Sequence, residues 1–386
     1  MKLKNPFFLF LIDLFLGTLF CVFVLIEKIS KRPTPSNPKK ILVLELWGIG
    51  DLVMMSPILE PIRSNFSNAE IVLLSKKEGK ILFEGAGAIN RFIEFDFPWA
   101  RFSNKYHFWK WPWRRLFSLV RDLRNEKFDL ILDGRDDVRN NLISFLIGAK
   151  RRIGFSDTGG SYFLTDSLKR SMYKHRTDRW LEILSVLKVP TYQKNPKVFV
   201  RSDEREFIDT YLKKAGIDRN DYLIGIHPGA GAAVRRWPLD RFVRLSNDLW
   251  KKLNVRIIML ADPESYGNDP SLDSNILKFQ GSLGSLIALI ERLSLLVCND
   301  SGPMHIAAAL KVPIFAIFGP GNPKQIGPVG ECVKIAIQEP MACRPCFDQC
   351  IYSEPYCLTK LETPFILNEV ENFLKQLEIL TKAATS

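Results

Sequence analysis

Several familiar signatures are missing from the 386 residues of this chain. It has no zinc-finger spacing, no RNA-binding signature and no long run of Lys and Arg, so no motif supports a nucleic-acid partner. No repeat of solenoid period is visible. The seven cysteines are not spread as a disulfide framework would be, because Cys343, Cys346, Cys350 and Cys357 crowd together near the C-terminus. Positive charge, by contrast, is plentiful. Lys and Arg number 54 against 42 Asp and Glu, a formal net charge of +12. Such an excess favours anionic partners, and with nucleic acid set aside these are an anionic membrane surface or phosphorylated ligands. The length suffices for two medium domains with separate cores.

Residues 7–26, FFLFLIDLFLGTLFCVFVLI, form one long apolar run with a single charge, Asp13. A helix of that length, rising about 1.5 Å per residue, can cross a hydrocarbon core. No small-x-small cleavage site follows, which counts against a signal peptide; a buried or interfacial helix is the other competing reading. Lys28, Lys31, Arg32, Lys39 and Lys40 follow the run, whereas only Lys2 and Lys4 precede it. The positive-inside bias then leaves the rest of the chain cytoplasmic, on an inner-membrane-associated protein. Residues 31–40, KRPTPSNPKK, read as a Pro-rich polar linker.

Beyond the linker, short apolar runs alternate with helical patterns, which predicts an α/β fold with parallel sheets. Residues 41–46, 70–75 and 129–133 read as buried strands, and 223–227, 255–261, 295–299 and 313–319 form a second series. Between 239 and 253, Leu239, Phe242, Val243, Leu245, Leu249, Trp250 and Leu253 make one apolar helical face. Helices expected over 176–188 and 203–216 lie between the two strand series. The expected layout is an anchor and linker over 1–38, domains over 39–205 and 206–363, and a final helix over 364–386. Residues 104–124 stand apart. Lys105, Lys110, Arg114, Arg115, Arg121 and Arg124 are interleaved with Tyr106, Phe108, Trp109, Trp111 and Trp113. That mixture suits the headgroup level of an anionic membrane or a lipid substrate. It could also stack bases, and an ordinary loop with a few buried aromatics is the plain alternative.

Three motifs carry candidate chemistry. In ELWGIGDLVMMSP (45–57), Gly48 and Gly50 turn the first strand into a helix near Asp51, at the strand end where open α/β sheets hold their sites. Asp51 could instead be only a helix cap. In IGIHPGAGAAVRRWPLDRF (224–242), a small-residue loop containing Gly229 precedes Arg235 and Arg236. Backbone N–H groups and guanidinium forks there suit a diphosphate, and two solvated arginines are the bland reading. In VCNDSGPMHIAAAL (297–310), Asp300, Ser301, Gly302 and Pro303 open a helix whose first-turn N–H groups and dipole favour an anion. His305 lies one turn in, as a phosphate neighbour or a core histidine. Gly319 and Gly321 follow the next strand.

Taken in this order, over roughly 39–375, the motifs resemble glycosyltransferase family 9, the ADP-heptose:lipopolysaccharide heptosyltransferases. The family pattern is a Gly-Asp near the first strand, a Pro-Gly loop ending in Lys-x-Trp-Pro, and an Asp-Ser/Thr-Gly-x-x-His helix with a following Gly-Pro. This chain has Gly50-Asp51, then Pro228-Gly229 through Trp237-Pro238, then Asp300 through His305 and Gly319-Pro320. It departs in holding Arg235 and Arg236 where the family usually has Lys, and in its apolar N-terminal run. The resemblance implies a GT-B fold, two Rossmann-like domains facing a central cleft. It implies Asp51 as catalytic base, inversion at the sugar, and Arg235 or Arg236 with the turn 301–305 on the leaving diphosphate. It further implies Glu264 on the ribose, a surface carboxylate being the plain alternative for that residue, with ADP-heptose as donor and an anionic glycolipid as acceptor. Gly48 and Gly50 at the first strand end, with Arg114 and Arg115 from the basic, aromatic segment, are the candidate acceptor-side residues. No Asp-x-Asp triplet occurs, consistent with transfer that needs no metal or other cofactor. The spacing C-x2-C-x3-C-x6-C of Cys343, Cys346, Cys350 and Cys357 could hold structural zinc or an iron–sulfur cluster, or could leave free thiols or disulfides. A sugar-nucleotide epimerase and a silent membrane-anchored glycan- or lipid-binding protein are the alternative functions.

Overall fold

Runs such as Ile-Leu-Val-Leu have no polar face, so they form strands only where both sides of a sheet are covered. That is how the first series behaves. In the computed structural model, which describes residues 37–101, 107–169, 174–191, 193–253, 255–260, 271–346 and 350–385 (side chains as far as 377), β1 is Lys40–Glu45, β2 Glu70–Ser75, β3 Arg91–Glu94, β4 Leu130–Asp133, β5 Arg151–Phe155 and β6 Asp166–Leu168. They pair in the order β3-β2-β1-β4-β5-β6. Every pairing is parallel, with Ile41 opposite both Ile71 and Leu130. The second series repeats the plan: β7 Leu223–His227, β8 Arg256–Leu260, β9 Leu277–Phe279, β10 Leu295–Asn299, β11 Ile314–Phe318 and β12 Val333–Ile337, in the order β12-β11-β10-β7-β8-β9. Relative to its own first strand, each sheet has the same doubly wound order.

The chain divides into two compact units between Lys194 and Asn195. The second unit thus begins before residue 206. The helix Ser202–Lys214 belongs wholly to it: Arg205 forks onto Glu291 and the Tyr211 hydroxyl donates to the carbonyl of Lys278. The C-terminal helix Thr363–Thr385 is likewise part of that unit. Ile366, Val370 and Phe373 are buried in one cluster with Phe242, Leu245 and Leu249 of the helix Leu239–Leu253. The apolar run 7–26 lies outside the described residues. Among the described residues no helix is long and apolar enough to cross a membrane.

Candidate active site

In the first sheet β1 and β4 are neighbours, but the chain leaves them in opposite directions, toward β3 and toward β6. Such a switch point opens a crevice at the carboxyl ends of the two strands. β1 ends there on Glu45 and passes through Trp47 and Gly48 into the helix Ile49–Met55. β4 ends there on Asp133, followed by Gly134 and Arg135. Gly48 is the helix N-cap, so the cap reading of Asp51 does not hold: Asp51 is the third residue of the helix. Its Oδ1 accepts from Nη1 of Arg135 at 2.8 Å and also from Nη1 of Arg176, the first residue of the helix Arg176–Val186. The Arg135 guanidinium also lies 4.2 Å from the centre of the Trp47 ring, a cation–π contact that fixes its plane. Gly134 is required by close approach: a Cβ there would fall 2.2 Å from the Trp180 ring. Glu45, Asp51, Arg135, Arg176 and Trp180 line one tight recess, in which Arg176 and Asp51 keep part of their surface open to solvent.

The electrostatics follow from this packing. Burial pushes the Glu45 carboxyl up, Arg135 pulls it back and Asp51 pushes again, leaving it at about 8 against an ordinary 4.5. Its Oε1 still accepts the Trp47 N–H at 3.2 Å. Burial likewise raises Asp133 to about 7, against the pull of the Arg135 N–H that donates to its Oδ1 at 2.9 Å. Burial disfavours the Arg135 charge, yet Asp51 and the other nearby carboxylates more than restore it and hold its value above normal. At neutral pH the recess therefore holds two guanidinium ions on one Asp51 carboxylate, with Glu45 neutral.

Sequence reading found Asp51, Gly48 and Gly50 but missed Arg135, Arg176, Glu45 and Asp133. One usable signal was Arg176, a cation at a helix start where the dipole disfavours it. Arg114 and Arg115 sit on exposed turns of the helix Trp113–Asn125, the latter 6.0 Å over the Phe95 ring. Among the described residues no hydrogen bond or ion pair joins them to the Asp51 network.

The second unit uses its own switch point, between β7 and β10. β7 leads into Pro228 and Gly229, and β10 into Asp300 and Ser301. The buried Asn299 side chain ties the two ends of the loop 228–237. Its Nδ2 donates to the carbonyl of Pro228 at 2.7 Å, and its Oδ1 accepts the N–H of Trp237 at 3.0 Å. Trp237 is itself buried and donates from Nε1 to the carbonyl of Leu361 at 2.8 Å. Arg235 reaches Asp300 at 3.4 Å, whereas Arg236 turns back onto the carbonyl of Ala230 at 3.0 Å. The helix Gly302–Ala309 begins with Gly302 and Pro303, and its N-cap Ser301 gives no side-chain cap. The Ser301 hydroxyl instead lies 3.4 Å from Nδ1 of His227. The first-turn N–H groups are thus not satisfied by the cap, the arrangement that binds anions. His305 is buried in that turn. A Cβ on Gly321 would lie 2.7 Å from Oδ2 of Asp300, so the turn after β11 closes against the same carboxylate. Glu264 lies outside the described residues.

The cysteines do not assemble as their spacing allowed. Cys343, Cys346, Cys350 and Cys357 are free thiols, and no group of three or more His, Cys, Asp or Glu among the described residues could hold a metal ion. Cys357 is drawn into the hydrophobic core of the second unit, while the other three stay half-buried in the preceding loop. Burial is the main cause that raises both Cys346 and Cys357, keeping them as thiols.

Residues 116–356 match the family Glycosyltransferase family 9 (heptosyltransferase). The lipopolysaccharide core heptosyltransferase OpsX of Haemophilus influenzae is 22% identical over 303 residues, covering 75% of this chain and 82% of that protein. The crystal structure of a family 9 glycosyl transferase from Veillonella parvula superposes with a TM-score of 0.71 at 22% identity, covering 88% of this chain and 98% of the other. The Escherichia coli ADP-heptose LPS heptosyltransferase II superposes with a TM-score of 0.67 at 18% identity, covering 88% and 99%. Both structural likenesses concern the fold, and the family match covers well over half of the chain. With its doubly wound sheets and its motifs at both switch points, this chain belongs to glycosyltransferase family 9, the heptosyltransferases.

Proposed function

We propose that this chain transfers heptose from ADP-heptose to the core of lipopolysaccharide or a related anionic glycolipid, with inversion and without a metal. The observation that carries the reading is the Asp51 carboxylate at the first switch point, held by two guanidinium groups. Arg135 is the more enclosed of the two, with 13% of its side chain exposed against 28% for Arg176. An acceptor that brings its own phosphate or carboxylate would compete for Arg176, while Arg135 keeps Asp51 in place. Asp51 then takes the proton of the acceptor hydroxyl. That oxygen bonds to the anomeric carbon as the bond to the diphosphate breaks on the opposite face, which inverts the centre. Arg235 and the first-turn N–H groups of the helix Gly302–Ala309 receive the charge of the departing ADP. Glu264 would accept the ribose hydroxyls.

The basic excess and the apolar run 7–26 support a place on the cytoplasmic face of the inner membrane. Neither epimerisation nor a silent binding role is favoured by membership of this family. The test is a panel of nucleotide sugars, scored by release of nucleoside diphosphate, with membrane glycolipid extract as acceptor. ADP-heptose should be the preferred donor, turnover should persist in EDTA, and NMR of the product should show the opposite anomer to the donor. Retention of configuration, or acceptor-independent conversion of the donor, would overturn the reading.

A further inference from the structure

Residues 108–124 build an exposed surface that, among the described residues, no hydrogen bond or ion pair joins to Asp51. Phe108, Trp109, Trp113 and Phe117 are exposed, Trp109 and Phe117 by 63% each. They are not loose. Trp111 packs on Trp99 of the first unit's core with ring centroids 5.3 Å apart, Trp113 on Trp111 at 5.3 Å, and Phe117 on Trp113 at 6.0 Å. The Trp113 Nε1 donates to the carbonyl of Phe108 at 2.9 Å, tying the short turn Phe108–Lys110 to the start of the helix Trp113–Asn125. On that helix the buried side is formed by Leu116 and Leu123. At about 3.6 residues per turn, Trp113, Phe117 and Arg121 fall on one stripe that borders this buried side, with Arg114 further round, while Arg124 is held by the carbonyl of Leu146 at 2.8 Å. Among the described residues Lys110 and Arg114 make no ion pair, and Arg121 pairs with its neighbour Asp122 at 3.6 Å and donates to the Ser118 hydroxyl at 3.5 Å.

Tryptophan and phenylalanine rings fixed outward and flanked by cations suit the interface of an anionic bilayer: the rings enter the headgroup–acyl boundary and the cations meet lipid phosphate. A protein partner would need no such excess of one sign. We propose that this face docks on an anionic lipid bilayer, as a contact surface separate from the N-terminal apolar run. The inference stands apart from the choice of donor and acceptor, since none of these rings belongs to either switch point.

The test uses the full chain reconstituted with vesicles of phosphatidylcholine, with and without phosphatidylglycerol, and reads hydroxyl-radical labelling of individual residues. Labelling of Trp109 and Phe117 should fall severalfold when phosphatidylglycerol is present, while the exposed Tyr222 and Tyr352 of the second unit keep their reactivity. Lys110→Ser with Arg121→Ser should raise the phosphatidylglycerol needed for that protection, each lost cation weakening docking about fivefold. Trp109→Ser with Phe117→Ser should slow transfer to acceptor embedded in vesicles and leave transfer to a water-soluble, deacylated acceptor unchanged. That second assay separates failure of this proposal from failure of the transferase reading. Equal labelling with and without phosphatidylglycerol overturns the proposal. So does protection that rises with protein concentration in the absence of lipid, which would assign the face to a second copy of the chain.

Discussion

Replacing Glu45 by Gln tests the electrostatics of the first switch point most directly. Glu45 is 1% exposed and holds its proton up to about 8, whereas the unfolded chain releases it near the ordinary 4.5. Below 4.5 both states are protonated and the residue adds no pH dependence. Between 4.5 and 8 the folded state keeps a proton that the unfolded state has lost, so stability falls as pH rises. At about 1.36 kcal/mol per pH unit, the whole window is worth on the order of 5 kcal/mol, and the accessible range from pH 5.5 to 8 about 3 kcal/mol. Gln keeps the shape and its Oε1 can still accept the Trp47 N–H, but it cannot ionise. The variant should match the parent near pH 5 and exceed it by roughly 6–12 °C in Tm at pH 8. Asp133 titrates with the same sign in both proteins and cancels from the difference. Melting curves of parent and variant across that range decide the matter. A Tm difference that does not change with pH, or a variant weaker throughout, would mean that Glu45 is ionised against Arg135 and would refute the description of the recess.

Asp51→Asn should lower kcat about 10²- to 10⁴-fold, with ADP binding by calorimetry unchanged; normal turnover would remove Asp51 as the base. Arg235→Met should cost about 10²- to 10³-fold in kcat/KM and flatten the salt dependence of donor binding. Asn299→Ala strips a buried partner from both the Pro228 carbonyl and the Trp237 N–H, so urea denaturation should show a loss of about 2–5 kcal/mol. Gly134→Ala forces a Cβ into the Trp180 ring and should destabilise the first unit by about 1–3 kcal/mol, visible in its melting curve.

The sequence alone determined the strands that are apolar throughout, β7 among them to the residue, and the parallel α/β class that such runs require. It also pointed to Asp51, Arg235 and the turn 300–305, because each follows, within eight residues, a strand that could be recognised. It did not reveal β3, β5, β6, β9 or β12, which are short or carry polar residues, so their burial depends on neighbours rather than on composition. Nor could spacing show that Cys357 would be taken into the core and leave the other three thiols without it. Only the folded sheets decided what surrounds Asp51: Arg135 stands 84 positions away and Arg176 125. Those contacts exist because β4 pairs with β1 and a later helix packs beside them. Strand order is a collective outcome of burial across the whole sheet, and no local stretch of the chain encodes it.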